Sequence, residues 1–132
     1  LSDEGQAARS MARAIIDQGL SGMEEIWGSE VTLFYPGLYA GQTDLCGIYS
    51  GRESIIDFKQ TNKPKKREDY FLQLAAYAMA HDVIYGTCVD QGVILMCSKD
   101  GFFQKFTSNG GEFTRFKHKF LGKIDQFYQK KK

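Results

Sequence analysis

Residues 91–98, Gln-Gly-Val-Ile-Leu-Met-Cys-Ser, run eight positions without a charge, and Val93 to Cys97 are five apolar side chains in a row. An amphipathic strand alternates, and a helix of this length would carry a polar side. A short unbroken apolar run bounded by turn residues is a strand buried on both faces. Such a strand needs a layer of structure above and below it, which rules out a sheet open to water on one side.

The flanking segments supply those layers. Residues 2–19 predict a helix with Ser2 and Asp3 as caps, a stripe of Ala8, Met11, Ala12 and Ile15, and Gly19 or Gly22 at its end. Residues 25–35 are rich in β-branched and aromatic side chains and predict a strand. Two more strands, 42–50 and 53–59, meet at Ser50-Gly51-Arg52, a glycine-bearing connection typical of a hairpin. After a loop at 62–69, the alanine-rich 69–82 predicts a helix, and 101–107 a strand following the Lys99-Asp100-Gly101 turn. Phe113, Phe116, Phe120, Ile124 and Phe127 recur at steps of three and four, giving a closing helix with an apolar stripe. Helix, strand, hairpin, helix, strand, strand, helix is a mixed sheet flanked by helices, in the α/β or α+β class.

Composition agrees with one globular domain over 1–132: 42% of residues are hydrophobic and 25% charged. No apolar run approaches the roughly 20 residues of a membrane span, and no membrane partner is expected. The sequence opens on Leu1, so a trimmed N-terminus is expected. Cys46, Cys88 and Cys97 are odd in number and show no CxxC spacing, which points to a reducing compartment and three small core residues. The net charge of +1 hides an asymmetry, −6 over residues 1–58 and +7 over 59–132. Acid gathers in one half and base in the other, as in a chain that binds metal beside a polyanion.

Within the hairpin, alternation puts Ile55, Asp57 and Lys59 on one face and Ile56 and Phe58 on the other. Asp44, on the first strand, comes near Asp57 when the hairpin turns at Gly51. An ion pair at a strand end is one reading of Asp57 and Lys59; a catalytic pair is the other. Two close carboxylates shift each other's pKa unless a cation sits between them, and Mg²⁺ or Mn²⁺ is the usual solution. The carbonyl of Phe58 can add an oxygen, and Glu30 is the nearest upstream acid able to complete the shell. Lys59 can then serve the attacking water or the charge that develops on a phosphate. In the helix that follows, Gln73 and Tyr77 stand at i, i+4, polar groups on one face of an apolar helix.

These motifs in order, "GQTDLCG", "IIDFK" and "QLAAY", resemble the PD-(D/E)XK nuclease superfamily, and within it the RecB-like exonuclease branch with its mitochondrial, phage and bacterial members. The resemblance covers about residues 25–132. It implies a restriction-endonuclease-like fold and metal-dependent hydrolysis of DNA at ends or in single strands, in repair, recombination or replication. It implies metal ligation by Asp44 and Asp57, a catalytic role for Lys59, active-site support from Gln73 and Tyr77, and an acid at the Glu30 position. The implied compartment is a bacterial or phage-infected cytoplasm, or the mitochondrial matrix. Two departures stand out. The family's upstream helix carries a histidine, whereas His81 and His118 both lie downstream here, and relatives have a longer catalytic module. Alternatives are a DNA-binding module that keeps the fold without the chemistry, and a structure-specific endonuclease.

Lys63, Lys65, Lys66 and Arg67 can grip phosphates beside the site or form a solvated loop. Phe102, Phe103 and Phe106 are expected in the core rather than stacked on bases. His81 is expected to be structural, near a helix C-terminus, and His118 and Lys130 to Lys132 to be solvated.

Overall fold

A computed structural model describes residues 3–35, 39–60, 67–98 and 100–130. Helix α1 (Asp3–Ala14) continues into a π turn (Ile15–Gly19) and a 3₁₀ turn (Leu20–Gly22) before strand β1 (Met23–Tyr35). Strands β2 (Tyr39–Tyr49) and β3 (Arg52–Gln60) follow, then helix α2 (Arg67–Tyr85), strands β4 (Gln91–Cys97) and β5 (Phe103–Asn109), and helix α3 (Gly110–Lys130). The five strands lie in the order β1-β2-β3-β4-β5, antiparallel except for the parallel pair β3–β4. A parallel neighbour needs a crossover, and α2 supplies it. The result is a mixed sheet flanked by helices, as in restriction-endonuclease-like folds. No described helix is long and apolar enough to cross a membrane.

Strand β4 fixes this layering. Val93, Leu95 and Cys97 point into a cluster with Met11, Ile15, Leu45 and Ile56, on the α1 side. Ile94 and Met96 point the other way, into a cluster with Phe71, Leu74, Ala75, Ala78 and Phe113 from α2 and α3. Every residue of β4 is buried. Its one side-chain amide is fully engaged: Gln91 Nε2 donates to the carbonyl of Tyr49 at 2.9 Å and to Ser54 Oγ at 2.8 Å, and Oε1 accepts from Asn109 at 3.1 Å. A polar group therefore starts the most buried strand without an unmet hydrogen bond.

The β2–β3 hairpin turns on two residues, Ser50 and Gly51, both at positive φ (49° and 79°), the backbone of a two-residue turn matched to strand twist. Helix α2 runs three residues past its expected end, to Tyr85, and stops at Gly86 with φ 69°.

Three side chains depart from expectation. Phe102 is 63% exposed because the β4–β5 connection is a tight turn at Gly101 (φ 80°), in which the Phe102 carbonyl accepts from the Ser98 N–H at 3.1 Å. Strand β5 accordingly starts at Phe103, two residues later than the pattern predicts. Cys88 is exposed on the short α2–β4 connection, while Cys46 and Cys97 are buried. The α3 stripe is buried at Phe113 and ends at Phe127, which is 53% exposed.

Candidate active site

Backbone pairing between β2 and β3 stops at Leu45–Ile56. One step further in the same register puts Asp44 opposite Asp57. There β2 leaves β3, and side chains take over the lost ladder bonds. Asp44 Oδ2 accepts the Phe58 N–H at 2.8 Å, and Thr43 Oγ1 donates to the Ile56 carbonyl at 3.3 Å. The divergence leaves Asp57 6% exposed beside a half-buried Asp44. Burial and the neighbouring Asp44 carboxyl push Asp57 up to about 6, against the lowering pull of Lys59.

Lys59, two residues on and on the same face, places Nζ 2.7 Å from Asp57 Oδ2 and 5.1 Å from the centre of the Tyr70 ring. Burial works to lower the Lys59 pKa, but the Asp57 hydrogen bond and the charges of Asp57, Tyr70 and Asp44 outweigh it and the pKa is raised. Lys59 is held as an ammonium group by its own strand and by the first turn of α2.

Gln73 and Tyr77 lie further along α2. Gln73 Nε2 donates to Tyr77 Oη at 2.8 Å, so the i, i+4 pair is a bonded pair. The Tyr77 ring occupies the space a Cβ on Gly41 would need. This explains the glycine three residues before Asp44: α2 packs its tyrosine directly onto β2 backbone there.

The remaining sequence candidates are placed as follows. Glu30 sits at the register position opposite Asp44, exposed, at a φ of 51°, with its carbonyl accepting from Gln42 Nε2 at 3.1 Å. No cluster of three or more His, Cys, Asp or Glu placed to hold a metal occurs among the described residues. Phe58 meets the site through its N–H, donated to Asp44. Arg67 opens α2 and stacks over the Phe106 ring at 4.8 Å. Lys63, Lys65 and Lys66 lie outside the described residues. Tyr70, against Lys59, joins the site without having been singled out, and Gly41, quoted only within its motif, is the glycine that Tyr77 packs on. Tyr70 could have been found at i−3 from Gln73 on the same helix.

The donor set fits a small hard cation. Asp44 and Asp57 offer carboxylate oxygens on opposed strands, and the raised pKa of the buried Asp57 marks negative charge that a cation would relieve. Mg²⁺ binds through one or two carboxylates and keeps several waters.

Comparison with known proteins relates the chain to nucleases. No family model matches it. Over 69 residues it is 39% identical to the human mitochondrial genome maintenance exonuclease 1, and 38% identical to the mouse protein. Each match takes in 48% of this chain and 20% of the relative, so the chain spans about a fifth of the length of the curated relatives it matches. A solved structure, that of SSO0001, aligns with 76% of this chain and 50% of its own at 13% identity and a TM-score of 0.46. The fold assignment rests on the sheet order and register described above.

Proposed function

We propose that the chain carries the catalytic core of a divalent-metal-dependent deoxyribonuclease of the RecB-like PD-(D/E)XK type, an exonuclease acting on DNA ends or single strands. The observation that carries this reading is the convergence of Asp44, Asp57 and the Lys59 ammonium where β2 and β3 part. The partial match to an exonuclease supports it.

In this reading Asp44 and Asp57 hold Mg²⁺ or Mn²⁺, with the Phe58 carbonyl and Glu30 as further oxygen donors. When bound, the cation supplies Lewis-acid charge beside the phosphate. Lys59 orients the attacking water and balances negative charge as the phosphodiester is opened. Tyr70 and Asp57 keep its ammonium aimed, so little reorganisation is needed at the moment of reaction. Gln73 and Tyr77 hydrogen-bond the strand near the scissile phosphate. Lys63, Lys65, Lys66 and Arg67 neutralise flanking phosphates, a contribution that weakens with salt.

The test is incubation of end-labelled single-stranded DNA with the protein in Mg²⁺ and in EDTA. Products in Mg²⁺ alone support the reading. DNA retarded but uncut in both favours the binding module, and cutting of a circular single strand favours an endonuclease.

A further inference from the structure

A cavity of about 290 Å³ lies between the C-terminal half of α2 and strands β1 and β2, lined by Trp27, Val31, Cys46, His81, Tyr85 and Thr87. Its walls are aromatic and stacked. The Trp27 and His81 rings lie 5.5 Å apart at 19°, and the Tyr85 ring tilts against His81 itself at 4.7 Å. Among the described residues the lining contains no Lys, Arg, Asp or Glu, which suits a flat neutral ring and not a phosphate.

The polar edge is equally defined. Thr87 Oγ1 donates to Asp82 Oδ1 at 2.7 Å, so it can only accept from His81 Nδ1, also at 2.7 Å. That fixes the imidazole as the Nδ1–H tautomer and leaves Nε2 an acceptor. Burial, which leaves His81 3% exposed, keeps the ring neutral by lowering its pKa. Asp82 is in turn fixed by the Val89 N–H at 2.8 Å and by Lys117 at 3.6 Å. A buried histidine held in one tautomer at the wall of an open aromatic cavity is more than packing requires. Tyr85, by contrast, is 58% exposed, an aromatic face left in water at the cavity rim.

The cavity's position supplies the occupant. Cys46 and Asp44 are two residues apart on β2 and share the α2 face, about 7 Å apart along the strand. A strand with its phosphate at Asp44 and Asp57 has a neighbouring base within reach of that spacing. We infer that this cavity is a base-binding subsite, taking one unpaired nucleobase of a single strand by stacking on Trp27 and Tyr85 and hydrogen-bonding at the His81–Thr87 edge. The inference rests on the nuclease reading and deepens it: it makes an unpaired base part of what the site recognises.

Trp27 is the single tryptophan of the chain and a built-in reporter. In EDTA, where DNA stays intact, a labelled thymidine oligomer and an abasic oligomer of equal length are titrated, with anisotropy of the label and Trp27 emission read together. Binding of both, with saturable quenching by the base-bearing oligomer alone, is the expected result. Tyr85→Ala, at an exposed position, should weaken the base-bearing oligomer roughly 5- to 100-fold, the range for loss of one base–aromatic stack, and leave the abasic oligomer unchanged. In Mg²⁺ the same variant should raise KM with kcat preserved. Oligomer binding without a change in Trp27 emission, or equal quenching by the abasic strand, overturns the subsite and leaves the nuclease reading standing. No binding by anisotropy and no cleavage in Mg²⁺ overturns both.

Discussion

Lys59 Nζ lies 2.7 Å from Asp57 Oδ2, and Asp57 in turn stands beside Asp44 where β2 and β3 part. The three groups form one electrostatic unit, so none should be replaceable in isolation. Asp57→Ala and Lys59→Ala should each lower cleavage by about 10²- to 10⁴-fold, the range for a positioned proton-transfer or charge-stabilising group. Circular dichroism should show both variants folded. Undiminished cleavage by either variant contradicts the assignment.

Metal-free stability should depend on pH through Asp57. Its folded-state pKa of about 6 lies above the ordinary 3.8, so between those values the folded chain keeps a proton that the unfolded chain releases. Stability contributed by this group is present below that window and is lost as pH rises through it. The full loss is up to about 3 kcal/mol by neutral pH, at 1.36 kcal/mol for each pKa unit. Asp57→Asn removes the like charge, so in EDTA it should melt higher than the parent at neutral pH and match it more closely in acid. Melting curves across pH in EDTA read this directly; parallel curves for the two proteins would refute it.

Mg²⁺ should reverse that penalty. A cation that binds only the folded chain stabilises it by about 2.7 kcal/mol at a concentration 100 times its Kd. The parent should therefore gain melting temperature with Mg²⁺ at neutral pH, and Asp57→Asn should not. Equal gains in both would place the cation elsewhere.

The contact of Tyr77 with Gly41 gives a test of how α2 is seated. A methyl group at Gly41 meets the ring, so Gly41→Ala should cost about 1–3 kcal/mol, as overpacking does. Truncating the ring removes the clash, so Gly41→Ala with Tyr77→Ala should cost less than the sum of the single changes. Additive costs in denaturant melts would show that the two residues do not meet.

At the other end of α2, Asp82 accepts from Thr87 and the Val89 N–H and faces Lys117 of α3. Asp82→Ala leaves these donors unmet and should destabilise the chain by about 2–4 kcal/mol. A loss below half a kilocalorie in urea melts would mean water substitutes freely there.

How much of this was legible follows from the range of each signal. The uncharged run at 91–98 fixed a strand buried on both sides, because burial on two faces writes itself into consecutive residues. The hairpin register was readable because a two-residue turn at Ser50 and Gly51 ties positions in β2 to positions in β3. Other features needed elements far apart in sequence. Gly41 stood out only as part of a motif, since its partner Tyr77 arrives from another element. The Phe58 N–H bond to Asp44 was not legible, because where β2 peels away from β3 cannot be read from composition. The Trp27–His81 stack joins residues 54 apart, and its one local trace was His81 at i+4 from Tyr77, continuing the Gln73–Tyr77 face. Phe102 and Cys88 are apolar by type and exposed by location, in connections where backbone geometry sets the direction.

The most direct test of the central claim is a crystal of the protein soaked in Mn²⁺ and measured for anomalous scattering. The account predicts a peak between the carboxylates of Asp44 and Asp57, with the Lys59 ammonium facing the same pocket. Crystals that show no peak between the two carboxyl groups at saturating Mn²⁺ would contradict it.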